Sequence, residues 1–233
     1  MIPNNKKGAK NVRTRTKLAA FLWEYRSASL LLLFAFLGET FFLLERELTP
    51  KYWMSSALDA YIPFVPIFVV PYLLWFPFLG LGLWALLRWD REQFVPTVLL
   101  LCAGFAVANL MFFLFPNGQL LRPANTGNGP FAWLVANLIY ANDTNTNCCP
   151  SLHVMHQIAV CSGLLHSRLF RDRPAARRGL VFFSISVCAA TVFLKQHSIL
   201  DVFTALLLEY PLYRFFFPQH QSDCRESRAL TEY

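Results

Sequence analysis

The sequence predicts an all-α fold: a polytopic membrane protein built as a bundle of six transmembrane helices. Three observations carry that expectation. Hydrophobic residues make up 55% of the 233 and charged residues only 15%, where a soluble domain keeps about a quarter of its residues charged. Apolar runs of about 17–25 residues, the length that crosses a bilayer, recur six times along the chain. The 21 Lys and Arg gather in alternate connections between those runs. The 23 Phe against 10 Gly fit lipid-facing helices, and a disordered chain, a collagen or a disulfide-stapled secreted scaffold is excluded.

The elements follow in order. Residues 1–26 form a basic, polar tail. A cleavable signal peptide needs a short apolar core and a small-residue cleavage site; here the first span, Ser27–Leu44, runs into Glu45-Arg46-Glu47 and reads as a retained anchor. The second span, Ile62–Leu87, is long and proline-rich. Asp59-x-x-x-Pro63-x-x-Pro66, Pro71 and Pro77 either unwind it around a lipid groove or merely kink it. Val95–Phe115, Ser151–Phe170, Leu180–Phe193 (extended by Lys195 to the interface) and Ile199–Phe217 complete a membrane domain over 27–217, and 218–233 is a C-terminal tail. The one long connection, Pro116–Pro150, contains the turn signals NG, NTGNGP and NDTNTN around an apolar patch, Phe131–Tyr140. That patch predicts a short interfacial helix with Trp133 and Tyr140 at the water boundary.

Lys and Arg are retained in the cytoplasm. With the N-terminus inside, Lys6, Lys7, Lys10, Arg13, Arg15, Lys17, Arg26, Arg88, Arg91, Arg168, Arg171, Arg173, Arg177, Arg178, Arg214, Arg225 and Arg228 fall on the inner side, 17 of the 21. Only Arg46, Lys51, Arg122 and Lys195 remain outside. The basic tail is therefore a topology signal rather than a nucleic-acid arm, both termini are cytoplasmic, and Arg122 and Lys195 need another reason to lie outside. Of the six cysteines, Cys148 and Cys149 lie on the outer side, where a disulfide to another chain is open to them; Cys224 lies inside.

Three polar clusters converge on the outer face, where ionisable groups at membrane depth are normally functional. The first is Arg122-Pro123. The second is Asp143-x-x-x-Asn147-Cys-Cys-Pro150-Ser151-Leu-His153, and the third is Lys195-Gln-His197-x-x-x-Asp201. Pro150 suits the first position of a helix, so the free amides there and the Ser151 hydroxyl make an anion site, with His153 placed to protonate a departing alkoxide. An ordinary capped helix with an interface histidine is the competing reading. His197 and Asp201, four apart, share a helix face; the carboxylate can hold one ring nitrogen and leave the other lone pair free, or the pair is structural glue. Lys195 and Arg122 supply positive charge for a phosphate, or snorkel to lipid headgroups. His156, one turn below His153, lacks a third ligand at helical spacing, so no metal is expected.

These motifs resemble the type 2 phosphatidic acid phosphatase superfamily of six-span membrane enzymes. Cys-Pro-Ser151-Leu-His153 is similar to that family's second motif and Lys195-Gln-His197-x-x-x-Asp201 to its third, in order, spacing and membrane side, over roughly the second half of the chain. The resemblance implies His197 as a nucleophile forming a phosphohistidine, Asp201 as its orienter, His153 as the general acid, and Arg122 and Ser151 as phosphate ligands, with no cofactor. Two family cations are absent: Phe115 stands where the first motif has lysine and Thr191 where the third has arginine, with Lys195 as a substitute. The Thr191 to His197 pattern and the Asp143 to His153 segment look more like the inositol phosphorylceramide synthase branch. The expected function is hydrolysis of a phosphate ester of an amphipathic lipid at the extracytoplasmic face, with membrane lipids and an alcohol acceptor as further partners. Headgroup phosphotransfer is the alternative. A transporter using Glu39, Asp59 and Glu209 is the reading from a different class.

Overall fold

The computed structural model describes residues 26–218. The basic residues Lys6 to Lys17, Arg225, Arg228 and Cys224 lie outside the described residues. The fold is mostly helical. A 3₁₀ turn, Arg26–Ser29, leads into α1 (Leu30–Glu47); 3₁₀ turns at Ala57–Ala60 and Pro66–Phe68 precede α2 (Val69–Trp89); α3 (Arg91–Leu114) follows after one residue. A short helix α4 (Pro130–Leu134), continued by a π turn over Val135–Ile139, occupies the long connection. The chain then runs through α5 (Leu152–His166), α6 (Pro174–Phe193) and α7 (Ile199–Phe216).

Four helices among the described residues are long and apolar enough to cross a membrane: Ser27–Glu47, Pro66–Trp89, Arg91–Leu114 and Pro174–Phe193. The other two expected spans differ for separate reasons. At 15 residues and about 1.5 Å per residue, α5 is ~22 Å long, well short of a ~30 Å hydrocarbon core. The last helix, α7, reaches 18 residues but carries Asp201, Glu209 and Arg214. Boundaries also shift. The second helix begins at Val69 because Pro63 and Pro66 keep the preceding chain extended or in a 3₁₀ turn, so only Pro77 lies deep in the helix. The fifth expected span starts earlier, at Pro174, which takes the first helical position.

The shortest helix is the central one. Nine of the fifteen α5 residues are buried, because α2, α3, α6 and α7 surround it. Glycines permit that approach. A Cβ at Gly163 would lie 2.0 Å from Thr97 Oγ1, and one at Gly82 would lie 2.6 Å from Val160 Cγ1. By contrast α1 buries no residue and packs on α3, where Asn109 Nδ2 donates to the Leu37 carbonyl at 2.9 Å. Its exposed side presents Leu32, Phe36 and Phe42.

The connections 48–65, 115–151 and 194–198 gather at one end of the bundle. There β1 (Tyr52–Trp53) pairs in parallel with β2 (Asn117–Gly118), and Gly118 bridges Thr146. The Asn117-Gly118 dipeptide, read from sequence as a turn signal, is thus a strand pair: a Cβ at Gly118 would lie 2.8 Å from the Asn145 carbonyl, so only glycine lets the third segment close on it. The apolar patch Phe131–Tyr140 is helical, as its sequence leads one to expect. At the opposite end Asp90 accepts from the Ser167 hydroxyl and the Arg168 amide, each at 2.8 Å, and joins the α2–α3 turn to the α5–α6 turn.

Candidate active site

The second and third clusters meet at the shared starts of α5 and α7. The Ser151 amide donates to the Asp201 carbonyl at 3.2 Å, which ties the two helix starts together. Ser198 caps α7 with a reciprocal box: its amide donates to Asp201 Oδ2 at 2.9 Å. The same oxygen lies 3.3 Å from His197 Nδ1. A carboxylate accepts only, so the tautomer it selects carries the proton on Nδ1 and leaves the Nε2 lone pair outward. That Nε2 faces His153 Nδ1 at 3.4 Å. Tyr72 and Trp75 hold the His153 ring, with centroids at 4.8 and 4.4 Å.

These imidazoles form the polar floor of a cavity of about 320 Å³. Its walls are Phe41 and Phe42 from α1, Tyr72, Trp75 and Phe76 from α2, and Phe105 from α3. Asp143, Asn147, Cys148 and Gln196 line it toward the connections 115–151 and 194–198. Among the described residues no Lys or Arg lines it. Phe42 and Phe76 line the cavity and are also exposed on the surface, so its wall reaches the outside of α1 and α2.

The expected phosphate ligands are placed differently from one another. Arg122 Nη2 donates to the Asp143 and Thr144 carbonyls at 2.8 and 2.6 Å and to Gln196 Oε1 at 2.5 Å, and its guanidinium lies 4.6 Å over the Tyr140 ring. It braces the rim beside His197. Ser151 is fully buried, makes no cap bond and leaves Oγ without a partner. It is the residue before the helix, so Pro150 precedes the helix rather than occupying its first turn. Lys195 turns away from the cavity. In the left-handed region, with φ at 56°, it sends its buried ammonium to the Asp59 and Ile62 carbonyls at 2.9 and 2.6 Å. That geometry makes Lys195 a brace between the α1–α2 connection and the α7 start, with its ammonium directed away from the cavity.

Asp59 is the residue whose role the sequence concealed. Its carboxylate accepts from the Ser56 amide (2.7 Å), the Ser198 hydroxyl (2.6 Å) and the Ile199 amide (2.9 Å). It therefore caps α7 from another segment, immediately beside His197. Asn117 works in the same way on the other histidine: its Oδ1 accepts from the Cys148 and Cys149 amides and its Nδ2 donates to the Cys149 carbonyl, all at 2.9 Å. Gln196 Nε2 and the Tyr72 hydroxyl both donate to Asp143 Oδ2, at 3.0 and 2.7 Å. An acid just before an apolar, proline-rich run is the one local signal for Asp59; its partner Ser198 lies 139 residues away, beyond any local pattern.

Cys148 and Cys149 are free thiols, 3% and 6% exposed. Side chains so buried do not reach another chain, which removes the intermolecular disulfide. Burial pushes the Cys149 thiol up to about 11 and the Cys148 thiol well above its usual value, so both are neutral near pH 7 and neither is an activated nucleophile. His156 packs edge-on against Phe34 and Phe105. Glu39 is exposed on α1, and Glu209 is buried with neither carboxylate oxygen hydrogen-bonded.

The fold and site define a helical protein with apolar membrane-length helices and a buried His–Asp pair at the base of an aromatic cavity. Compared with known protein families, curated proteins and solved structures, the chain matches none.

Proposed function

We propose that this chain is a six-span membrane enzyme of the type 2 phosphatidic acid phosphatase kind. In this reading α5 and α7 cross the membrane with the four longer helices, their polar residues shielded inside the bundle, and the site faces the extracytoplasmic side. The substrate is a phosphate ester of an amphipathic lipid. The observation that carries this is the row Asp201 Oδ2, His197 Nδ1, His197 Nε2, His153 Nδ1, with separations of 3.3 Å at the first contact and 3.4 Å at the last.

In the reaction His197 Nε2 attacks phosphorus while Asp201 keeps the proton on Nδ1 and stabilises the cation that forms. His153 gives a proton to the departing alkoxide. Attack needs phosphorus about 3–3.5 Å from the nitrogen, so the phosphoryl group enters by separating the two imidazoles. The lipid chains lie against the aromatic walls and leave between Phe42 and Phe76.

The lining favours headgroup phosphotransfer as a second reading. A phosphomonoester near its dianion needs cationic partners, and the cavity has none, whereas a phosphodiester carries a single negative charge. Once the leaving group departs, a well-oriented alcohol can outcompete bulk water, since effective molarities reach about 10⁵ M or more. The test is purified full-length protein with a panel of lipid mono- and diesters, following released headgroup, free phosphate and transfer to added alcohols. A labelled, acid-labile phosphoenzyme that is absent from His197→Gln supports the mechanism. Full turnover by His197→Gln overturns the phosphohistidine mechanism, and no turnover of any ester by the wild type leaves the transporter reading.

A further inference from the structure

We propose that Cys148, His197 and Asp201 form a binding site for a zinc-class divalent cation, and that this ion blocks the cavity rather than serving the reaction. One ligand atom from each residue lies within 4.8 Å of the other two, and all three residues are buried. In a tetrahedral zinc site, with bonds of about 2.0–2.3 Å, neighbouring ligand atoms are ~3.5 Å apart. The three side chains therefore need to close by about 1 Å, a shift that small side-chain rotations supply.

Three further observations point to a ligand. Asp201 Oδ1 is buried without a hydrogen-bond partner, while Oδ2 already serves the Ser198 amide and His197. A cation on Oδ1 thus leaves the α7 cap intact. Cys148 is presented on fixed backbone, its amide clamped by Asn117 Oδ1. Cys148 and His197 both line the cavity, whose wall holds no Lys or Arg among the described residues to repel an ion and has Asp143 to attract one.

The donor set selects the ion. A thiol, an imidazole and a carboxylate suit Zn²⁺ or Cd²⁺ and not Mg²⁺ or Ca²⁺, which take oxygen ligands. On binding, Cys148 releases its thiol proton to solvent. The dication is then balanced by one thiolate and one carboxylate, so the buried site carries no net charge. Three protein ligands leave a fourth position toward the cavity for water or a phosphate oxygen. A cation held there fixes His197 and occupies the space the phosphoryl group needs.

The experiment uses the full-length chain, purified in detergent and stripped of metal, with Co²⁺ added alone as the probe. The expected result is a thiolate-to-cobalt charge-transfer band that saturates at one equivalent, is displaced by Zn²⁺ and is unaffected by Mg²⁺. Cys149→Ser keeps the band and Cys148→Ser loses it. No band in the wild type, a band that persists in Cys148→Ser, or one lost in Cys149→Ser overturns the proposal. Should Cys148→Ser fail to fold, Zn²⁺ titration of His197→Gln decides. Its apparent affinity falls by at least about 10–100-fold if His197 is a ligand, since even outer partners are worth that much; an unchanged affinity refutes the site. Because the readout is metal binding, it stands or fails separately from the enzymatic reading.

Discussion

Removing the Asp59 carboxylate strikes the α7 start without touching either histidine. Asp59→Ala leaves the Ser56 amide, the Ser198 hydroxyl and the Ile199 amide without their acceptor. A hydrogen bond to a charged group contributes about 1.5–3 kcal/mol. The three share one carboxylate and do not add, and breaking a buried charged cluster by deleting one partner costs about 3–5 kcal/mol. For a domain of this size each kcal/mol moves the unfolding temperature by about 2–4 °C, so the expected drop is about 6–20 °C. Asp59→Asn offers one acceptor oxygen to three donors and falls between the two. The Lys195 ammonium bonds to the backbone carbonyl of Asp59, so that brace survives both substitutions. Thermal unfolding in detergent, followed by helical signal, is the assay, with exposed Asp172→Ala as the control expected to stay within about 0.5 kcal/mol. A drop under about 2 °C for Asp59→Ala would show that its carboxylate does not hold the α7 start.

Asp201→Asn should leave a folded protein whose turnover falls by about 10⁴-fold, as when a triad loses its orienting carboxylate; a loss under tenfold in a lipid-ester assay removes Asp201 from that role. Chelation with EDTA should not lower turnover, because the proposed zinc-class ion blocks the cavity rather than serving the reaction; a loss that one added metal restores would reverse this. Gly163→Ala, whose Cβ would meet Thr97 Oγ1 at 2.0 Å, should cost at least about 1–3 kcal/mol, while Gly179→Ala, with nothing within 4 Å, should gain about 0.5–1 kcal/mol as a helical glycine replaced. Equal melting temperatures for the two would refute the close α3–α5 contact. For orientation, the buried Cys148 and Cys149 are poor reporters; Asn128→Cys should react with a membrane-impermeant thiol reagent on intact cells and Asp172→Cys should not, and the opposite pattern moves the site to the cytoplasm.

Composition and periodicity alone determined the helical, membrane-compatible class, because burying apolar runs in lipid is a local property of 18–25 consecutive residues. That local rule does not reach α5 and α7: α5 has only 15 residues and buries nine of them among the other helices, while α7 carries Asp201, Glu209 and Arg214, of which Asp201 and Glu209 are buried; their length and charge become intelligible only from the bundle around them. His197 with Asp201 was legible from its four-residue spacing, but for another reason than a shared helix face: His197 precedes the α7 cap Ser198, and Asp201, in the first turn, reaches back to the Ser198 amide and the His197 ring with one oxygen. The directions of the Lys195 and Asp59 side chains were hidden from the sequence for one reason. A side chain's direction is set by its backbone conformation and by what can accept its hydrogen bonds, and for Lys195 a left-handed φ and two carbonyls from residues 59 and 62 turned it out of the cavity. Contacts that span more than a hundred residues leave no periodic trace in the chain. Tertiary structure therefore decided which polar residues face the cavity, which brace it from behind, and that Cys148 stands beside the histidine and aspartate.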